Sequence, residues 1–196
     1  MVNKRKTLFA TLAVFGAFTS LLQVGYAKTS LKPTNNFNLP PFRDVRSVEV
    51  VPLTKTDNAV VVSSTTYNHV VTQNNTGEKV VLNASKKPML FVAYWCPHCE
   101  RTLFMWKKDH AKFPDLVFVG YPNGTKFAMA KNRAWSEIHY FHLPVKSSQV
   151  YFVIGNQQAK YVPQGFPNYI YAQHHQDKSL LGEHTWHVWQ SVLKNK

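Results

Sequence analysis

Met89-Leu90-Phe91-Val92-Ala93-Tyr94-Trp95-Cys96-Pro97-His98-Cys99 is the stretch that decides the fold. Its first six residues form an unbroken apolar run, which suits a central strand buried on both faces, as in parallel or mixed sheets covered by helices. Two cysteines three positions apart follow at once. Glu100 to Lys112 then has helical composition, with Leu103, Met105, Trp106 and Phe113 as apolar positions. The order is strand, cysteine pair, helix.

A Cys-x-x-Cys at a helix start has a physical purpose. Unsatisfied backbone N–H groups and the positive end of the helix dipole stabilise a thiolate on the first cysteine. Three residues is close to one turn, so the second sulfur lies on the same side and closes a disulfide. Cys96 is therefore the expected nucleophile and Cys99 the resolving thiol. Pro97 suits the first turn, where its missing N–H costs no hydrogen bond. His98 brings a donor, and when protonated a positive charge, to the Cys96 sulfur. Both favour thiolate over disulfide, and a stabilised reduced form makes the oxidised form a better oxidant. Trp95 is expected to form an exposed lip beside the pair, with Tyr94 in the core.

Outward from the site, Leu116 to Tyr121 is a second buried-strand pattern and Thr125 to Tyr140 a second helix. Val150 to Ile154 is a third strand, with Ala159 to Val162 returning antiparallel, and Glu183 to Leu193 a closing helix. The order is βαβαββα. Upstream, Val45 to Leu53, Ala59 to Tyr67 and His69 to Thr72 read as strands, and Lys79 to Leu82 as a short strand after the Asn74-Asn75-Thr76-Gly77 turn. Residues 28–72 are thus expected to be an N-terminal extension, irregular and then β, and 73–196 the principal domain.

The chain begins with Lys4, Arg5 and Lys6, an apolar run from Leu8 to Val24, and Gly25-Tyr26-Ala27. Residues 1–27 read as a secretory signal cut after Ala27, with an uncleaved membrane anchor as the alternative. Either reading places the remainder outside the cytoplasm. The 196-residue chain carries 23 Lys+Arg against 10 Asp+Glu, a formal charge of +13; without the three basic residues of the signal, +10 remains. The basic residues are scattered and export removes nucleic acid as a partner, leaving an anionic envelope surface or acidic clients. Only two cysteines occur, which excludes a disulfide-stapled miniature scaffold and a four-cysteine zinc site. Among nine histidines, His139/His142 and His184/His187 have helical i, i+3 spacing, but such residues are more often solvated or packed than metal ligands, so no metal is assigned.

Lys87-Pro88, the apolar run and Trp95-Cys96-Pro97-His98-Cys99 together resemble the active-site segment of the thioredoxin superfamily. Pro97-His98 is similar to the dipeptide of DsbA-type disulfide oxidases. Trp95 and the Gly77 to Leu82 lead-in resemble exported proteins of the TlpA and ResA type. The resemblance implies a thioredoxin-like three-layer α/β fold, a central mixed sheet flanked by helices. It implies thiol–disulfide exchange with protein substrates carrying thiols or disulfides, a redox partner protein and no cofactor; Pro97-His98 tilts this toward oxidase or isomerase. Two positions depart from the pattern. Where the superfamily commonly has a buried acid six residues before the first cysteine, this chain has Leu90, so proton transfer falls to water, His98 or Glu100. The superfamily's substrate-docking cis-proline directly precedes the strand after the second helix, and the nearest candidate here is Pro144. These departures motivate the alternative, a non-catalytic protein that holds a metal or a partner through the Cys/His site.

Overall fold

The computed structural model describes residues 58–162 and 164–194. The expected signal, the irregular lead-in and the Val45 to Leu53 strand lie outside them. In chain order the elements are β1 (Val60–Val61), α1 (Ser64–Tyr67), β2 (Val70–Gln73), β3 (Lys79–Leu82), β4 (Met89–Ala93), α2 (Pro97–Lys108), β5 (Asp115–Tyr121) and α3 (Phe127–Tyr140). They continue with β6 (Val150–Ile154), α4 (Gln158–Tyr161), β7 (Asn168–Gln173), β8 (Gln176–Leu181) and α5 (Trp186–Lys194).

The strands form one sheet in the order β1-β8-β7-β4-β5-β6-β2-β3. At its centre β4, β5 and β6 run parallel, with Met89 opposite Asp115 and Leu116 opposite Val150. On the other side of β4, β7 runs antiparallel, with Phe91 opposite Asn168. Every residue of β4 is buried, and the period-two alternation of a strand sends its side chains into two cores. Leu90 and Val92 pack with Leu103 and Trp106 of α2, Ala130, Ala134 and Ile138 of α3, and Val188, Trp189 and Val192 of α5. Met89 and Phe91 pack on the opposite face with Tyr67 of α1 and Tyr161 of α4. Helices cover both faces of a mixed sheet, and with the cysteine pair at the start of the helix after the central strand, the fold is thioredoxin-like.

Trp106 anchors the site helix. Its ring lies edge-on to Trp189 at 5.1 Å, Tyr169 at 5.6 Å and Phe113 at 5.9 Å, tying α2 to the sheet and to α5. The helix starts at Pro97, three residues before the expected Glu100, and stops before His110, which adopts a positive φ while Ala111 N–H reaches back to the Trp106 carbonyl at 2.8 Å.

Three expectations about elements are corrected. Of Ala59 to Tyr67 only Val60–Val61 is strand; Ser64–Tyr67 is a helical turn, because the buried Tyr67 ring packs edge-on to Phe91 and its hydroxyl donates to the Tyr161 carbonyl at 2.8 Å. Tertiary anchoring outweighs β-branched propensity there. Ala159 to Val162 is likewise helical rather than a returning strand. Tyr161 is stacked on Phe91, and its hydroxyl accepts from the Val71 N–H at 3.1 Å. The antiparallel hairpin is instead β7–β8, joined by His174-His175, both at positive φ. A two-residue turn of that hand normally announces itself by Asn or Gly, and histidine gives no such signal. Finally, β2 pairs with β3 and β6, and β1 with β8, so these strands belong to the central sheet and the expected division between 72 and 73 falls inside β2.

Candidate functional site

Cys96 is the N-cap of α2, with extended backbone, and Pro97 takes the first helical position. The Cys96 carbonyl accepts the N–H of Glu100 at 3.1 Å, which opens the helix, while its own N–H reaches the Ala93 carbonyl at 2.9 Å. The Cys96 sulfur sits at the open N–H end of α2, where the Cys99 thiol, then the backbone N–H groups of Cys99 and His98 and the charge of His98, favour its thiolate. Against the opposing effect of burial, these lower the Cys96 thiol from 9.0 to about 6. Cys99 is the opposite case. Its sulfur is fully buried and accepts the Ala93 N–H at 3.4 Å. Burial, donation to Cys96 and the charge of Cys96 push its thiol well above the ordinary value. Both cysteines are free thiols. One turn of helix thus holds two sulfurs of opposite acidity.

Access to Cys96 is narrow, since the residue is 5% exposed. Its neighbours in sequence are open: Trp95 is 51% exposed and the His98 side chain 53%. The Trp95 indole N–H donates to the Gly120 carbonyl at 3.2 Å and its ring stands edge-on to Phe166 at 6.0 Å. Gly120 has φ +83 and sits at the register irregularity between β5 and β6; a Cβ there would come within 2.9 Å of the Trp95 nitrogen. Only glycine combines that backbone with that approach. Tyr94 is partly buried, stacked on Tyr121 at 5.3 Å and capped by Arg133 at 4.7 Å from its ring centre.

Pro144 does not stand where the sequence reading put it. It is exposed, on the segment leading into β6. Because β4, β5 and β6 are parallel and Cys96 follows the C-terminal end of β4, a residue before the N-terminal end of β6 lies at the opposite edge of the sheet. The cis X-Pro bond among the described residues is Phe166–Pro167, directly before β7. That strand runs antiparallel to β4, so its beginning lies at the cysteine end. The expectation failed because it counted to the strand after the second helix, and that strand here is an additional parallel one.

Two features of the site are not legible as such in the sequence. One is a cluster of His98, Arg101 and Glu183. The Arg101 guanidinium grips Glu183 with two bonds, Nε to Oε1 at 2.8 Å and a terminal nitrogen to Oε2 at 2.6 Å, and that same nitrogen lies 2.8 Å from His98 Nδ1. His98 Nδ1 is also 2.8 Å from Glu183 Oε2. Arg101 stands three residues after His98, one helical turn, which is a local signal; Glu183 arrives from the loop after β8, 85 positions away from His98. The other feature is Glu137 on α3. It is 0% exposed, on the helix face that carries Ala130, Ala134 and Ile138, whose apolar side chains pack in one cluster with Cys96 and Cys99, and neither carboxyl oxygen has a hydrogen-bond partner. Burial first, then the charges of Glu100 and Cys96, hold it protonated well above the usual carboxylate range. Glu100 is buried on the first turn of α2.

Among the described residues no three His, Cys, Asp or Glu side chains converge as they would for a metal ion. His184 is fully buried, its Nε2 at 2.9 Å from the Leu181 carbonyl and its ring edge-on to Trp189, while His187 is exposed.

No protein-family model matches the chain, and no curated protein does. Among solved structures it is similar to dsbF of Mycobacterium tuberculosis in its mixed oxidised and reduced forms, at 15% identity over 66% of this chain and 94% of that one, TM-score 0.44. It is also similar to a secreted M. tuberculosis disulfide oxidoreductase homologous to E. coli DsbE, at 12% identity over 66% and 96%, TM-score 0.41. A thiol-disulfide isomerase from Corynebacterium glutamicum matches at 16% identity over 71% and 96%, TM-score 0.42.

Proposed function

We propose that this chain is an exported thiol–disulfide oxidoreductase that exchanges a Cys96–Cys99 disulfide with protein thiols, working as an oxidase or isomerase. The observation that carries the reading is the placement of two sulfurs on one helical turn, Cys96 at the N-cap of α2 and Cys99 fully buried behind it, which lowers the first thiol to about 6 and raises the second. A thiolate leaves readily and a fully buried thiol does not stay ionised, so the pair has a defined outer and inner sulfur.

The oxidative half-reaction follows from that asymmetry. A client thiolate attacks the Cys96 sulfur of the disulfide, the client–Cys96 bond forms and the Cys96–Cys99 bond breaks. Cys99 departs as a thiolate and takes a proton; protonated Glu137, on the face of α3 shared with the cluster around the pair, is its donor. A second client thiolate then attacks the client sulfur of the mixed disulfide and expels Cys96 as the thiolate its helix end stabilises. The client gains a disulfide, the cysteine pair gains two electrons, and a redox partner protein reoxidises it. The exposed Trp95, with Phe166 packed edge-on against it, stands beside Cys96 and forms the surface a client strand meets. The N-terminal apolar run and the extracytoplasmic setting it suggests agree with disulfide donation, which requires an oxidising compartment.

The test is the reduction potential against glutathione together with Cys96→Ser. A potential near −120 mV, about that of strong oxidants, supports disulfide donation, one near about −270 mV reverses the direction to reductase, and exchange that persists in Cys96→Ser overturns the reading.

A further inference from the structure

The His98–Arg101–Glu183 cluster is more than a surface ion pair. The Glu183 side chain is 5% exposed and the Arg101 side chain 10%, so both charges are out of water and held by hydrogen bonds with good geometry. Through Arg101 and His98 the cluster reaches the cysteine site. Arg101 feels the charges of Glu183, of Cys96 and of Glu100, and His98, whose Nδ1 touches both members of the pair, acts on the Cys96 sulfur through its backbone N–H and its charge. A guanidinium with a free side would act with its full positive charge on the anions around it, and the Cys96 thiolate is among those that Arg101 feels. Glu183 occupies it with both oxygens.

We propose that Glu183 is a positioning residue that sets the reduction potential of the Cys96–Cys99 pair: it locks Arg101 and His98 beside Cys96 and cancels part of the positive charge the thiolate would otherwise receive. Glu183 is then a moderator that makes the disulfide a weaker oxidant than the helix end, His98 and an unpaired Arg101 together would produce. The proposal rests on the thiol-exchange reading. It predicts effects of opposite sign on two residues of one ion pair, which a purely structural role does not give. Removing Glu183's charge leaves Arg101 uncompensated near the thiolate, favours the reduced form and raises the potential. Removing Arg101 leaves a negative charge there and lowers it.

The experiment is redox equilibration with glutathione of wild type, E183Q, R101Q and the double variant, read by the fraction of protein disulfide. The thiolate titration of each reduced protein is followed by ultraviolet absorbance. The expected change is about tenfold in the equilibrium constant toward the reduced form in E183Q, equivalent to about 30 mV upward. R101Q moves by a comparable factor in the other direction, and the double variant lies within about twofold of wild type because the two charges are removed together. The thiolate midpoint falls in E183Q and rises in R101Q. If R101Q does not fold with Glu183 left buried and alone, E183Q and the double variant carry the comparison. Shifts of the same sign in both single variants, or an E183Q protein within twofold of wild type, overturn the proposal. A wild type that does not equilibrate with glutathione at all overturns the exchange reading itself and the proposal with it. A wild type that equilibrates while E183Q is unchanged overturns the moderator alone.

Discussion

Cys99→Ala tests the strongest single influence on Cys96. The Cys99 thiol is the first cause of the depressed Cys96 acidity, ahead of the backbone N–H groups and His98. A hydrogen bond to a charged acceptor contributes about 1.5–3 kcal/mol, and one pKa unit is about 1.4 kcal/mol. Its loss therefore raises the Cys96 midpoint from about 6 by roughly one to two units, to about 7–8. At pH 7 the thiolate fraction then falls from about nine-tenths to between about one-half and one-tenth. The assay is the rate of alkylation of Cys96 between pH 4 and 9, compared in reduced wild type and the variant. The rate itself drops less than the fraction, because a more basic thiolate is a better nucleophile, so the midpoint and not the rate at one pH is the readout. The variant also leaves the Ala93 N–H, which Cys99 accepts at 3.4 Å, without its partner, so a stability loss of about 1–3 kcal/mol accompanies the shift. A wild-type midpoint near 9, or a variant midpoint unchanged from wild type, refutes the account of how this helix end ionises its sulfur. The linked effect on stability has a definite sign. A thiol lowered from 9.0 to about 6 stabilises the reduced fold fully above pH 9, and the contribution is lost as pH falls through about 6. At pH 7 about one unit of it is realised, tenfold in the equilibrium constant or about 30 mV.

Glu137→Gln has a kinetic and a thermodynamic signature. With its carboxyl raised above 4.5 by burial, the fold prefers the protonated form, so wild-type stability declines as pH climbs above that value and the variant's does not. Urea denaturation at pH 5 and pH 8 should show the variant gaining on wild type by about 1–3 kcal/mol toward pH 8, and an equal gap at both pH values would exclude a buried titrating acid there. The same variant should slow reduction of the disulfide by a dithiol, with the loss concentrated where wild-type Glu137 is protonated; an unchanged pH profile removes Glu137 from the proton step. Gly120→Ala should cost about 1–3 kcal/mol in denaturation and weaken client binding more than it slows reaction with a small thiol, because the new Cβ meets Trp95 at 2.9 Å on a backbone with φ +83. Equal effects on large and small substrates would show that Trp95 is not part of the client surface.

The site core was legible in residues 89–99 because every determinant there is local. A continuous apolar run fixes a strand buried on both faces, two cysteines one turn apart fix the spacing of the sulfurs, and Pro97 fixes the helix start. The N–H groups that depress Cys96 come from residues 98 and 99, so sequence order alone places them. What failed involved partners distant in the chain. Tyr67 and Tyr161 read as strand residues because β propensity is a local quantity, whereas their helical turns are fixed by a shared contact with Phe91 and by the Tyr67 hydroxyl donating to the Tyr161 carbonyl across 94 positions. Counting to the strand after the second helix leads to Pro144, because a one-dimensional reading cannot say that β6 adds to the far side of β5 while β7 returns beside β4.

The sequence by itself determined the chemistry at the centre: which sulfur is outer, which is inner, and that a helix end stands behind the first. The tertiary structure alone decided the surroundings, because charge acts through space and not along the chain. Leu90 removes the acid from its customary place in sequence, and α3 brings Glu137 to the cluster around the pair. The loop after β8 delivers Glu183 to Arg101 and His98, and only its arrival sets how much positive charge the thiolate at the tip of α2 receives.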